Sequence, residues 1–204
     1  MVARHVSTNW MRALAAPRVK GLLARHGYKL IREHNKYQSE TSKCRARLAP
    51  FCVGAGVDVG PGGDPIRDTA IRVDLPNPYS HAGFLPPQLT GETGGLPWFR
   101  DETLDYVYSS HVLEDFEDPK PILVEWLRVC VLGGHLVLFC PDEQAYRQYC
   151  RDKGLQRNEM HKQDDFCLRM VKAILAEIGG TTVIHENPLV DIYSWELVVR
   201  KATC

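Results

Sequence analysis

The chain has 204 residues and, with 25 basic and 25 acidic side chains, no net charge; this length suits one well-buried α/β domain with an appendage and is short for two independent domains. It holds no run of about 18 apolar residues that could span a bilayer. Its seven cysteines are odd in number and form no C-x-x-C pair, which speaks against a disulfide frame or a zinc site and for reduced thiols in a cytoplasmic protein.

The neutrality conceals a division. Residues 1–50 carry eleven Lys/Arg against two acids, and residues 51–204 carry fourteen against twenty-three. The expected organisation is therefore a basic helical N-terminal extension, 1–50, that covers an acidic domain, 51–204, so that both surfaces are satisfied internally. A phosphorylated or nucleic-acid partner is the competing reading, but the segment lacks the interleaved aromatics that would support it.

In chain order, Trp10, Leu14, Val19, Leu22, Leu23, Leu30 and Ile31 have a helical spacing interrupted near Pro17 and Gly27, which predicts one or two helices over 8–34. Residues 35–50 are polar and basic and read as a connection. From Cys52 the punctuation changes to short apolar runs between Gly/Pro turns. Strands are expected at Val57–Val59, Ala70–Val73, Leu104–Ser109 and His135–Cys140. Pro119–Val131 has a helical pattern that Gly133-Gly134 would stop. Asp164–Ile178 is an amphipathic helix ended by Gly179-Gly180, and strands at Thr182–His185 and Tyr193–Arg200 finish the chain. Such alternation predicts a mostly parallel sheet covered on both faces.

The segment Gly56-Val57-Asp58-Val59-Gly60-Pro61-Gly62-Gly63-Asp64-Pro65 reads as a buried strand emptying into a glycine turn. A dinucleotide-binding G-x-G-x-x-G would need a third glycine where Pro65 stands. An anionic Asp58 would repel phosphate and attract a cationic ligand, a pattern that favours S-adenosylmethionine (SAM), with its ammonium and sulfonium, over NAD or ATP. Only nine residues separate Gly60 from Ala70, whereas a parallel crossover ordinarily takes a dozen or more. The first helix is thus expected to shrink to about a turn, with Asp64 as its N-cap and Pro65 at the first helical position.

Three further segments join this turn: Ile71-Arg72-Val73-Asp74-Leu75; Gly91-Glu92-Thr93-Gly94-Gly95-Leu96-Pro97-Trp98 with Leu104 to Glu114; and Glu125-Trp126-Leu127-Arg128-Val129 with Gly133-Gly134-His135-Leu136-Val137-Leu138 and Pro141-Asp142. In this order and spacing the chain resembles the class I SAM-dependent methyltransferases, most closely the small type 11 group with a shortened first helix. The resemblance implies a Rossmann-like α/β fold whose mostly parallel sheet has an antiparallel last strand. It assigns Asp58, Gly60 and Gly62 to the methionine end of SAM and Asp74, with Leu75 beside it, to the ribose. Glu92 and Leu96 fall at the adenine, and Ser109 with Ser110 and His111 at the end of the fourth strand, facing the transferable methyl. The chain departs from the family in Asp115, where a His is usual, in Cys130-Val131-Leu132, and in the short link after Gly60.

Transfer to a hydroxyl needs a base, and His111 is the first candidate, since a neutral imidazole accepts a proton near pH 7. His161 is the second. Asp142 and Asp115 are candidate acceptor ligands. No metal is expected, because no pair of histidines and acids has i, i+4 spacing with a third ligand. The expected activity is methyl transfer to a small, hydroxylated acceptor such as a sugar or glycan precursor. A non-catalytic SAM-binding protein and an RNA methyltransferase using the basic segment are the alternatives.

Overall fold

The computed structural model describes residues 39–78 and 85–202, so the helices expected within 8–34 lie outside the described residues. In order, the elements are α1 (Glu40–Leu48), β1 (Gly56–Val59), β2 (Ile71–Asp74), β3 (Leu89–Thr90), β4 (Leu104–Ser110), α2 (Pro119–Val129), β5 (Cys130–Pro141), α3 (Glu143–Lys153), α4 (Leu168–Ile178), β6 (Thr181–Val190) and β7 (Ser194–Lys201). The strands form one sheet in the order β3-β2-β1-β4-β5-β7-β6. Only β7 runs against its neighbours, as the sequence predicts.

Alternation along the strands feeds a core on each face. On one, Val57, Val59, Val107, Leu136 and Leu138 pack with Trp126 and Leu127 of α2 and Val171 and Leu175 of α4. On the other, Tyr106, Tyr108, Val137 and Phe139 pack with Cys44 and Leu48 of α1 and with Ile66 and Ala70.

The expected connection over 35–50 therefore contains a helix, and that helix belongs to the fold. Ser39 caps it by accepting a bond from the Ser42 amide at 2.9 Å, the role in which serine is strongly preferred. Its basic side chains reach buried acids. Arg45 bonds Asp64 at 2.7 Å, and Arg47 bonds Glu196 of β7 at 2.6 Å.

The β1–β2 link holds no helix at all, and Asp64 is not an N-cap. Its buried carboxylate instead accepts bonds from Ser39 Oγ and Arg45. Asp58 reaches forward from β1 to accept the Ile66 amide at 2.6 Å. The link is thus pulled onto the sheet by carboxylates, in place of a helix's own hydrogen bonds. Two other boundaries also differ from expectation. α2 ends at Val129 and β5 starts directly after it, running through Gly133-Gly134. A Cβ on Gly134 would lie 2.9 Å from the carbonyls of Asp105 and Val131, so this glycine permits a close approach of backbone. α3 was not foreseen as a helix, although Asp142 caps its start and Gly154 (φ +62°) its end.

Replacing Leu48 tests whether α1 is part of this core. Leu48 is fully buried, and Leu48→Ala is expected to cost about 2–4 kcal/mol, read in urea unfolding as a lower midpoint at unchanged slope. A loss below about 0.5 kcal/mol, as for a surface connection, would contradict this placement.

Candidate active site

Strand order reverses on either side of β1, and at such a switch point the C-terminal strand ends leave a crevice. Here the ends of β1, β2 and β4 open into a cavity of about 400 Å³, within the size range of small-molecule sites.

The floor of this cavity follows from two glycines. Gly60 has φ +72°, and a Cβ there would lie 2.3 Å from Val112 Cγ2, so a side chain is excluded by conformation and by space. Its amide bonds the Val73 carbonyl at 2.8 Å, which folds the turn back over β2. Gly62 (φ +53°) then donates its amide to Asp74 Oδ2 at 3.2 Å, while Leu75 donates to Asp74 Oδ1 at 2.8 Å. The Asp74 carboxylate is thereby oriented at the cavity wall.

Helix α2 sets the opposite wall. Trp126 Nε1 donates to the Thr93 carbonyl at 3.2 Å, and Glu125 accepts the Leu96 amide at 2.8 Å. Arg128 bonds Glu125 and the Phe99 carbonyl. These bonds fix the segment that presents Glu92 and Thr93 to the cavity.

His111 leaves β4 in the left-handed region, at φ +53°, a conformation uncommon for a residue with a side chain. Its Nε2 lies 3.3 Å from both Ser194 Oγ and Glu40 Oε2, and its Nδ1 lies 3.5 Å from Glu114 Oε1. The ring packs against Phe139 and Tyr193. Burial pushes the imidazole down to about 4, although the Glu40 carboxylate works in the other direction. It is therefore neutral at pH 7 and able to take a proton. Burial raises Glu40 too, but His111 and Lys43 outweigh it and hold the carboxyl below its ordinary value. His161 is buried beside Tyr146, with Nδ1 2.7 Å from Glu143 Oε2.

Of the residues expected from sequence, Gly60, Gly62, Asp74, Leu75, Glu92, His111 and His161 line this one cavity. Asp58, Leu96 and Ser109 lie behind it. Asp58 is fully buried and burial pushes its carboxyl up to about 8, so it is an internal strut for the link and not an exposed anion. Leu96 is in the core under α2. Ser109 turns its hydroxyl to the Val59 carbonyl at 3.1 Å. Sequence reasoning missed Glu40, Tyr146, Asn158 and Tyr193, which also line the cavity. For Glu40 a signal existed, since Ser39 before an acid is a helix-start pattern.

This donor set suits an adenosyl sulfonium compound. A carboxylate at the end of β2 can accept from two vicinal hydroxyls, and Glu92 adds a second anionic acceptor. Leu75 and Pro78 supply apolar wall, and Ser110 Oγ, in the lining, is buried without a hydrogen-bond partner among the described residues. The glycine floor keeps the backbone close to whatever occupies the cavity.

Comparison with known proteins agrees. A family model described as "Methyltransferase domain" matches residues 79–138. A protein described as a methyltransferase, solved in complex with the Haloferax volcanii Trm112 methyltransferase activator, is 18% identical, with 98% of this chain and 100% of that one covered and a TM-score of 0.60. A SAM-dependent methyltransferase from Thermotoga maritima is 18% identical over 96% and 100% of the two chains, with a TM-score of 0.57. One from Aquifex aeolicus is 13% identical over 97% and 100%, with a TM-score of 0.52. At these identities the likeness is one of fold. No curated protein matches the chain.

The depressed His111 predicts an acid-sensitive stability. The unfolded imidazole binds a proton near pH 6.5 and the folded one near pH 4. Between these values the unfolded state holds more protons, so this contribution is complete above pH 6.5 and falls as pH drops towards 4, by at most about 1.4 kcal/mol per pH unit. Denaturation midpoints measured against pH should be flatter over that window in His111→Gln than in the parent. Parallel curves would contradict the lowered His111.

Proposed function

We propose that this chain, a class I SAM-dependent methyltransferase, transfers the methyl group to a hydroxyl of a small acceptor, such as a sugar or glycan precursor, with His111 as the base. The observation that carries the reading is the placement of the His111 imidazole at the end of β4, in the same cavity as the Asp74 carboxylate and the Gly60–Gly62 turn. SAM, when bound, supplies a methyl carbon made electrophilic by its sulfonium. Asp74 would hold the ribose hydroxyls, Glu92 would face the adenine side, and the turn would pass along the methionine end.

The acceptor side is built from Tyr146, Asn158, His161 and Tyr193 with His111. Aromatic faces with amide and hydroxyl hydrogen-bonding groups suit a polyhydroxylated molecule. The acceptor's hydroxyl proton would pass to the His111 imidazole, and the imidazolium would stand 3.3 Å from Glu40, whose carboxylate would compensate the new charge. Alignment and exclusion of water in this cavity supply most of the remaining gain, because methyl transfer is an in-line displacement.

Isothermal titration with S-adenosylhomocysteine separates the two roles. Asp74→Ala is expected to weaken binding about tenfold or more, the loss of roughly one charge-assisted hydrogen bond, whereas His111→Ala should change it less than threefold. Absence of binding to the parent protein at high micromolar concentration, or the reverse ranking of the two variants, would overturn the assignment.

A further inference from the structure

At the cavity wall the ionisable groups form an alternating row: Glu40, His111, Glu114, His161, Glu143. Apart from His111–Glu114, each contact in it crosses between segments. Glu40 comes from α1, His111 and Glu114 follow β4, His161 lies after α3, and Glu143 is in its first turn. At the centre, Glu114 is wholly buried, and neither carboxyl oxygen has a hydrogen-bond partner among the described residues. Its Oε1 nevertheless stands between two imidazoles, 3.5 Å from His111 Nδ1 and 3.8 Å from His161 Nε2. These distances exceed hydrogen-bond length by roughly 0.5–1 Å, a side-chain adjustment and not a refolding. The frame around them is fixed, because the Lys162 amide donates to the Glu114 carbonyl at 2.9 Å and the His111 amide to the Phe139 carbonyl at 2.9 Å.

We propose that Glu114 is a positioning residue that joins His111 and His161 through one buried carboxyl, so that the two imidazoles titrate as a coupled unit.

An isolated buried carboxylate is costly. Burial, with Asp115 next to it, raises Glu114 well above the ordinary carboxylate range and so favours its uncharged form. Each outer nitrogen faces an acid kept ionised. Glu143 is held below its ordinary value because the bonds from His161 and Arg147 outweigh burial, and it also pairs with Arg157 at 3.0 Å. The other groups facing the row are Lys43 from α1 and Asp191 from the β6–β7 turn, which act on His111, and Cys140 of β5, which is raised by burial and by Glu114.

His161 is anchored on its far side, with Nδ1 2.7 Å from Glu143 Oε2. This coupling deepens the reading of His111 as base, but the unit exists in the free protein and can be tested there.

The test is an NMR titration of the imidazole nitrogens in the full-length protein without cofactor, for the parent, Glu114→Gln and His161→Gln. Glutamine keeps the shape of Glu114 but removes its ionisable carboxyl. The expected result is that either substitution shifts the His111 titration midpoint by at least half a pH unit and alters its tautomer, and that Glu114→Gln shifts His161 as well. An unchanged His111 curve in both variants would overturn the proposal; S-adenosylhomocysteine binding equal to the parent's serves as the folding check. Should Glu114→Gln fail to fold, His161→Gln decides alone through the His111 curve. Should the coupling appear while His111→Gln retains full turnover, the unit stands and the assignment of His111 as base fails.

Discussion

The constraint on which the structure depends is the shortness of the passage from β1 to β2. Parallel neighbours normally buy their crossover with a helix that also covers the sheet. Here the passage is too short and too rich in Gly and Pro for one. Its backbone is held down by acids: Asp58 takes the Ile66 amide, Asp64 takes Arg45 and Ser39, and Asp74 takes the Gly62 and Leu75 amides. The missing cover is supplied by α1 from upstream, packed with Ile66 and Ala70 of the link on the Tyr106/Tyr108 face.

That substitution reaches the chemistry. By bringing α1 to this face, the fold sets Glu40 beside the imidazole of His111, at the same strand end as the glycine turn. The carboxylates therefore divide by surroundings. Asp58 and Glu114, sealed from water, are pushed towards the neutral form, whereas Glu40 and Glu143, paired with cations, stay ionised. Environments that push like groups apart are how one site obtains both proton holders and charge stabilisers at the same pH.

Much of this was legible in the sequence, and the exceptions have physical causes. Strand periodicity and Gly/Pro punctuation located β1, β2, β4 and β5, and the long apolar stripe located α4. Strand-end residues such as Asp74 and His111 could be placed because the parallel topology carries strand ends to one edge. α1 was hidden, since only Thr41, Cys44 and Leu48 of it are buried and its basic residues find their partners far away in sequence, Asp64 and Glu196. α3 was hidden for a like reason: its buried residues are only Glu143 and Cys150, too few for a hydrophobic stripe, although its caps were visible. The burial of Asp58 behind the cavity was hidden because the pattern of a motif does not reveal on which side of the turn a side chain is sealed. Glu114 stood in the recognised segment, but its burial between two histidines depends on the return of the chain at Lys162.

On the reading proposed above, the glycine turn, Asp74 and His111 serve one ligand. A crystal structure with S-adenosylhomocysteine would decide it. The ribose hydroxyls are expected on the Asp74 carboxylate, the methionine part along Gly60–Gly62, and the sulfur directed towards His111 and the Tyr146/Tyr193 side of the cavity. A ligand bound away from Asp74, or one whose sulfur points away from His111, would contradict it.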